Sequence, residues 1–168
     1  MKNIVTIDKE NYFSYLEIFR SFETKTDRER DLIDSMISKV KKSDSVIYLL
    51  QIKDKNIGFI AVSASKLLTD LEGVPSIEIQ YIFIDTKYRK KEFKELNNIK
   101  ASVFLIGLIQ NIAIELQTQI GIRYLILYPD KQNLNLVDFY LKLGFYKYKI
   151  IIWDNKKREI EYWMMKKL

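Results

Sequence analysis

Two apolar periods alternate along the chain, one of two residues and one of three to four, and the switches between them outline its elements. Residues 3–7 (NIVTI) read as a short strand. Asp8 then opens a helical pattern that returns at Tyr12, Tyr15, Leu16 and Phe19. Thr26-Asp27 stands where a second helix would be capped, and Leu32, Ile33, Met36, Ile37 and Val40 form its apolar stripe. SVIYLLQIKDKNIGFIAVSAS predicts a hairpin about KDKN, in which Asp54 and Asn56 tolerate the backbone of the turn. A third long strand spans 75–85, from Pro75 to Asp85, and a charged loop follows from 86 to about 98. Residues 99–120 form a long helix with few polar points, Gln110, Asn111 and Glu115 among them, as expected of a helix clamped against a sheet.

Gly121 ends that helix, and IRYLILYP is a continuous apolar run of the kind buried inside a sheet. Residues 133–143 form a short helix that Gly144 stops by taking the left-handed position after the last turn. The tail FYKYKIIIWDNKKREIEYWMM folds back at DNKK as a second hairpin. The order β-α-α-β-β-β-α-β-α-β-β predicts an α/β (α+β) fold, a mixed sheet with helices on both faces. Within it, strand 75–85, helix 99–120 and strand 122–128 make a parallel βαβ crossover. With five Gly, two Pro, no repeat and no low-complexity linker, residues 1–168 are expected to form a single domain.

Composition narrows the chemistry more than the fold. Apolar residues make 48% of the chain and charged residues 30%, the balance of a globular protein. The absence of Cys excludes disulfides, a thiol nucleophile and cysteine-zinc sites, and the absence of His removes the usual general base and the commonest metal ligand. Chemistry therefore falls to carboxylates, Tyr, Lys, backbone amides or a bound cofactor. A net charge of +6 suits anionic partners such as phosphates, nucleotides or RNA, and suits a solvated lysine-rich surface equally. The N-terminal MKNIVTIDKENYF lacks the pattern of a signal peptide. VFLIGLI at 103–109 is far shorter than the roughly 20 residues of a membrane span, so a cytoplasmic protein with no membrane partner is expected.

Two stretches carry a family likeness. In IEIQYIFIDTKYRKK, Glu78, Ile79, Ile82, Ile84, Asp85, Tyr88, Arg89 and Lys91 fall in step with the pattern A-E-I-x-x-I-x-V-x-P-x-Y-R-G-K-G-x-G, with Thr86 where Pro is common. In NLNLVDFYLKLGFYKY, Asn133, Phe139, Tyr140, Lys142, Leu143, Gly144 and Phe145 match N-x-x-A-x-x-L-Y-x-K-L-G-F, with Leu136 in place of the small residue. With the element order, these stretches resemble the GNAT superfamily of acetyl-CoA-dependent N-acetyltransferases. The resemblance implies a mostly antiparallel sheet of about seven strands, with acetyl-CoA as cosubstrate and an amine as acceptor.

It also implies roles for particular residues. Tyr140 would reach a cleft between two splayed parallel strands, near 82–84 and 124–127, and protonate the leaving thiolate. A phenol near pKa 10 is roughly matched to that task. Packing of an amphipathic ring, with its hydroxyl on a carbonyl, is the other reading. Glu78, between Ile77 and Ile79, is the candidate base, with a solvent-facing or ion-paired carboxylate as the alternative. Ile82, Phe83 and Ile84 match the strand whose backbone pairs with the pantetheine arm. Arg89, Lys90 and Lys91 are candidates for the CoA phosphates, as are Ala101 and Ser102 at the start of the long helix. A solvated charged loop is the plainer account of KYRKKEFK. Asn133 would bond the cofactor arm or cap its helix.

The family's glycines are absent after Arg89: their positions hold Lys90, Glu92 and Lys94, and EFKELNN stands as an insertion. The acceptor carries no motif. A generic primary amine, the aminoacyl-tRNA of toxin-type GNAT proteins, and a non-catalytic GNAT-like binding module all stay open. The terminal hairpin, with Ile150–Trp153 and Tyr162–Met165, is a candidate homodimer surface.

Overall fold

A computed structural model of the chain describes residues 1–68, 73–129, 134–154 and 157–168. The N-terminal strand β1 (Lys2–Ile7) leads into a turn closed by Asp8, whose carboxylate accepts from the backbone N–H groups of Glu10 and Asn11. The predicted first helix starts later than its pattern. Tyr12–Tyr15 form a 3₁₀ turn, and α1 covers only Leu16–Ser21. Helix α2 (Asp27–Lys41) begins as expected, with the Thr26 hydroxyl accepting from Glu29 N–H at 3.3 Å. The hairpin of β2 (Val46–Ile52) and β3 (Lys55–Leu68) turns on Lys53 and Asp54, at φ 49° and 61°. Asn56, expected in that turn, is the second residue of β3 instead. Two consecutive left-handed residues match the twist of the flanking strands, which is why a two-residue turn wins here.

Strand β4 (Gly73–Ile84) is followed by a 3₁₀ turn at Thr86–Tyr88. The expected open loop then proves to be built: β5 (Glu92–Phe93) and β6 (Ile99–Lys100) pair antiparallel around a second 3₁₀ turn. Helix α3 spans Ala101–Ile120 and ends at Gly121, φ 72°. Then come β7 (Tyr124–Leu127), α4 (Leu134–Lys142), β8 (Tyr146–Asp154) and β9 (Lys157–Lys167). The main sheet has seven strands in the order β1-β2-β3-β4-β7-β9-β8. Among its described pairings only β4–β7 is parallel, from Ser76↔Tyr124 to Ile79↔Leu127.

The chain divides into two compact units, Met1–Ser63 with Gln80–Ile109, and Ala64–Ile79 with Gln110–Leu168. In the first, Phe19 and Phe22 of the α1 segment and Ile33, Met36 and Val40 of α2 close over Ile47, Leu49, Phe59, Ala61 and Phe83. This is the face the period-two alternation of β2 and β3 assigns to the core. The even residues of β1 point the other way, and there the Lys2 ammonium lies 4.7 Å from the ring centre of Phe104 in α3. In the second unit Val74, Ile126, Trp163 and Met165 form the core, with Tyr124 and Tyr148 against it. Of the candidate dimer surface, Trp163, Met164 and Met165 are buried, and the side chains of Ile150–Trp153 and Tyr162 lie outside the described ones.

By length and composition alone α3 could cross a membrane, its 20 residues reaching a mean hydropathy of 1.3. Its unbroken apolar run is only VFLIGLI, because Gln110, Asn111 and Glu115 interrupt the rest without spoiling the average. Here Ala101, Leu105, Ile106, Ile109 and Ala113 form a buried stripe, and 28% of the apolar span is buried in all.

At Gly58 the backbone of β3 lies close against that of β4. A Cβ there would stand 2.2 Å from the Phe83 carbonyl oxygen and 2.9 Å from Ile84 Cα, both backbone atoms that cannot swing aside. Gly58→Ala is therefore expected to destabilise the fold by about 3 kcal/mol, read from the urea unfolding midpoint. An unchanged midpoint would mean that the two strands stand further apart than this.

Candidate active site

β7 stops at Leu127, opposite Ile79, and β4 runs on for five residues to Ile84. Phe83 of this extension is buried among Phe22 and Phe59, at 5.2 and 5.7 Å between ring centres, while Ile82 and Ile84 are half-buried. The N–H of Asp85 donates to Ile57 of β3. Successive strand residues aim their backbone groups to opposite edges, so the Ile84 carbonyl faces away from β3. That carbonyl is already engaged, accepting from Arg89 Nε at 2.9 Å. It belongs to the stretch that the family likeness assigns to the pantetheine arm.

Arg89 is held on three sides. Beyond the Ile84 carbonyl, its Nη2 pairs with Glu29 Oε2 at 2.8 Å and its guanidinium lies 5.6 Å from the centre of the Phe83 ring. Glu29 also accepts from Lys25 N–H, so a single carboxylate caps the start of α2 and anchors the loop. Burial raises the pKa of this carboxyl, but the hydrogen bonds from Arg89 and the backbone outweigh it and leave the group below its usual range. Beside it Asp85 is buried, accepting from the N–H groups of Glu23 and Lys87. Thr86 donates its N–H and its hydroxyl to the Glu23 carbonyl. Lys90 and Lys91 are exposed, Lys91 over the Tyr88 ring at 5.6 Å. Ala101 is buried and Ser102 half-buried at the start of α3.

The missing glycines have a structural counterpart. Left-handed backbone is adopted here without glycine, by Lys90, Asn97 and Asn98 at φ 64°, 60° and 59°. Asparagine takes this conformation more readily than most residues, so the Asn-Asn pair was the available signal. The β5–β6 ribbon is seated by Leu96, which is 1% exposed, and by an ion pair from Glu95 to Lys53 at 2.8 Å.

Tyr140 lies on the last turn of α4. Its ring is 7% exposed, at 5.3 Å from Phe139 and 5.8 Å from Phe145 between centres. The helix ends in a Schellman motif: Phe145 N–H returns to the Tyr140 carbonyl and Gly144 N–H, at φ 86°, to that of Leu141. Among the described residues the Tyr140 hydroxyl has no hydrogen-bond partner. Burial pushes its pKa up to about 12 rather than leaving it near 10. Glu78 is half-buried between buried Ile77 and Ile79, level with Ile126 of β7.

Ile82, Phe83, Ile84, Arg89, Lys90, Lys91, Ala101 and Ser102 thus belong to one compact unit, and Glu78 and Tyr140 to the other. Asn133 lies outside the described residues. The sequence reading missed Glu29 and Asp85 as partners of the loop, and Gln110 and Lys166 near the end of α4. A depression of about 250 Å³ between α1 and α2, lined by Leu16, Arg20, Asp34, Ile37, Ser38 and Lys41, involves none of the expected site residues.

No protein-family model and no curated protein matches the sequence. Solved structures do. The KacTA–DNA complex aligns over 99% of this chain and 93% of that one, with 18% identity and a TM-score of 0.69. A tyrosine-to-phenylalanine mutant of the AtaT toxin, bound to the C-terminus of the antitoxin AtaR and acetyl-CoA, covers 99% and 93% with 13% identity and a TM-score of 0.67. The PaiA N-acetyltransferase from Thermoplasma acidophilum, in complex with coenzyme A, covers 100% and 99% with 17% identity and a TM-score of 0.59. At such identities the likeness is one of fold, and the expected GNAT-like architecture is borne out.

Arg89→Ala is expected to cost about 1–2 kcal/mol at pH 7, since both partners are less than a third exposed. Because the Glu29 carboxyl is lowered in the fold, its contribution is complete above the unfolded carboxylate range, about pH 4.3, and disappears as pH falls through the lower folded value. Urea unfolding at neutral and acid pH should show the gap between wild type and variant closing in acid.

Proposed function

We propose that residues 1–168 act together as a cytoplasmic acetyltransferase that moves the acetyl group of acetyl-CoA onto a primary amine. The amine nitrogen attacks the thioester carbonyl, the C–S bond breaks, the thiolate takes the phenolic proton of Tyr140, and the amine proton leaves to Glu78 or water. The observation that carries this reading is Tyr140 itself: a ring buried on the final turn of α4 whose hydroxyl no described residue claims. A packing tyrosine finds its hydroxyl a partner when buried. At a pKa of about 12 the phenol stays protonated through the physiological range. The same dry surroundings raise the basicity of a thiolate beside it, which keeps donor and acceptor matched.

The acetyl-CoA or coenzyme A bound in two of the fold neighbours supports the cosubstrate. For this chain we assign the pantetheine arm to the backbone of Ile82–Ile84, with Arg89 exchanging the Ile84 carbonyl for the cofactor. The phosphates fall to Lys90, Lys91 and the first turn of α3 at Ala101 and Ser102, and Asn133 remains assigned to the arm. One observation favours the toxin-type reading of the acceptor, aminoacyl-tRNA: the toxin structures match with TM-scores of 0.67 and 0.69, against 0.59 for PaiA. An antitoxin would then be a partner, as AtaR is of AtaT.

Saturation with acetyl-CoA at 100 times its Kd should stabilise the protein by about 2.7 kcal/mol in thermal unfolding. With a competent amine, Tyr140→Phe should lower kcat by about 10²–10⁴. No thermal shift and no turnover of amines or aminoacyl-tRNA would leave a GNAT-like binding module. Growth arrest on expression, relieved by Tyr140→Phe, would select the toxin.

A further inference from the structure

Lys166 sits on β9, half-buried, with its ammonium turned to the end of α4. Nζ donates to the carbonyl of Leu143 at 2.7 Å and to Oε1 of Gln110, on α3, at 2.9 Å. It also lies 6.0 Å from the centre of the Phe145 ring. Gly144 is the only residue between those two partners, and it leaves the room: a Cβ there would meet Nζ at 3.4 Å and Cε at 3.5 Å.

Two of the three groups beside the ammonium, Leu143 and Phe145, lead back to Tyr140. The Leu143 N–H and the Phe145 N–H both donate to the Tyr140 carbonyl, at 3.1 Å each. The Phe145 ring packs edge-on against the Tyr140 ring. One cation therefore holds the last carbonyl of the turn that carries Tyr140 and flanks the ring against which the phenol rests. A cation at a helix C-terminus is also favoured by the helix dipole, and a charged donor makes the stronger hydrogen bond. Gln110 fixes the ammonium from the opposite side, so its position is set by two elements and not by its own flexible stem.

We propose that Lys166 is a positioning residue for the transfer reaction, holding the end of α4 through Leu143 and Phe145 so that the Tyr140 hydroxyl stays where the departing sulfur needs a proton. It does not touch the phenol, so it acts through placement. The role rests on the acetyl transfer proposed above, but the placement can be tested separately. A small displacement of a proton donor is felt in kcat, because the donor acts in the transition state, and far less in cofactor binding.

The test compares Lys166→Met, which keeps the stem and removes the cation, with Lys166→Arg and Gln110→Leu. For Lys166→Met, kcat should fall by roughly 10- to 100-fold with KM for acetyl-CoA unchanged, and Lys166→Arg should recover most of the loss. Gln110→Leu, which leaves the Leu143 contact in place, should lose only a few-fold. A readout independent of turnover is the ring-carbon NMR signal of Tyr140 in protein labelled at tyrosine, assigned by its absence in Tyr140→Phe. It should shift or broaden in Lys166→Met and return towards the wild-type position in Lys166→Arg, while far-UV circular dichroism shows both folded. If wild type turns over no acceptor, the acetyl-transfer reading fails and the NMR signal alone decides the placement. Full kcat in Lys166→Met, or a Tyr140 signal that does not move, overturns the proposal and leaves the proposed function untouched. Should Lys166→Met fail to fold, the graded pair Lys166→Arg and Gln110→Leu decides, and wild-type kcat and Tyr140 signals in both would overturn it.

Discussion

The mismatch in length between β4 and β7 governs much of what surrounds them. Twelve residues face four, and the parallel ladder ends at Ile79 and Leu127. Backbone N–H and C=O groups cannot be left dry and unpaired, so the rest of β4 must find other partners along the edge that β7 does not reach. Near the strand's end the chain supplies one itself, in Arg89 reaching back to the Ile84 carbonyl. A ligand offering an extended chain of amides would suit the same edge, since such recognition needs backbone groups and tolerates varied side chains.

Arg89 also shows how a glycine-free loop can be held in one shape. Asp85, Thr86, Lys87 and Arg89 reach across to Glu23 and Glu29 through four side-chain contacts, two of them ion pairs. The exposed Lys87–Glu23 pair adds little, being open to water and salt. The buried carboxylate of Asp85 and the half-buried guanidinium carry the structure, because a charge removed from water must keep its partners. The β5–β6 ribbon then takes up the residues that a tight glycine loop would not contain, and seats them with Leu96.

At the end of α4 the physics is that of burial. The Tyr140 ring is packed by Phe139 and Phe145, and dry surroundings oppose ionisation of its phenol. Such a group keeps its proton through the physiological range, which the proposed transfer to a thiolate requires. Holding the ring still is a task for the helix end, and there a cation, a glycine and a Schellman turn converge on one carbonyl-rich corner.

Local chemistry settled most of the elements. Strand and helix periods, the Thr26 cap, the Gly121 and Gly144 stops and the crossover order all follow from neighbours within a few residues, and the structure repeats them. Tyr140 was legible for the same reason, since its motif is one continuous helix end. Arg89 was legible as a residue but not in what it contacts, because its partner Glu29 is 60 positions away. Likewise, no local pattern announces that Lys166 will meet Gln110, 56 positions distant, at the foot of α4. The β5–β6 ribbon was hidden by its charge: Lys and Glu read as solvent-facing, and a single buried Leu96 decides otherwise. Periodicity and capping act within a few turns of chain and so belong to the sequence; the pairing of charges across the fold exists only once packing has brought distant segments together.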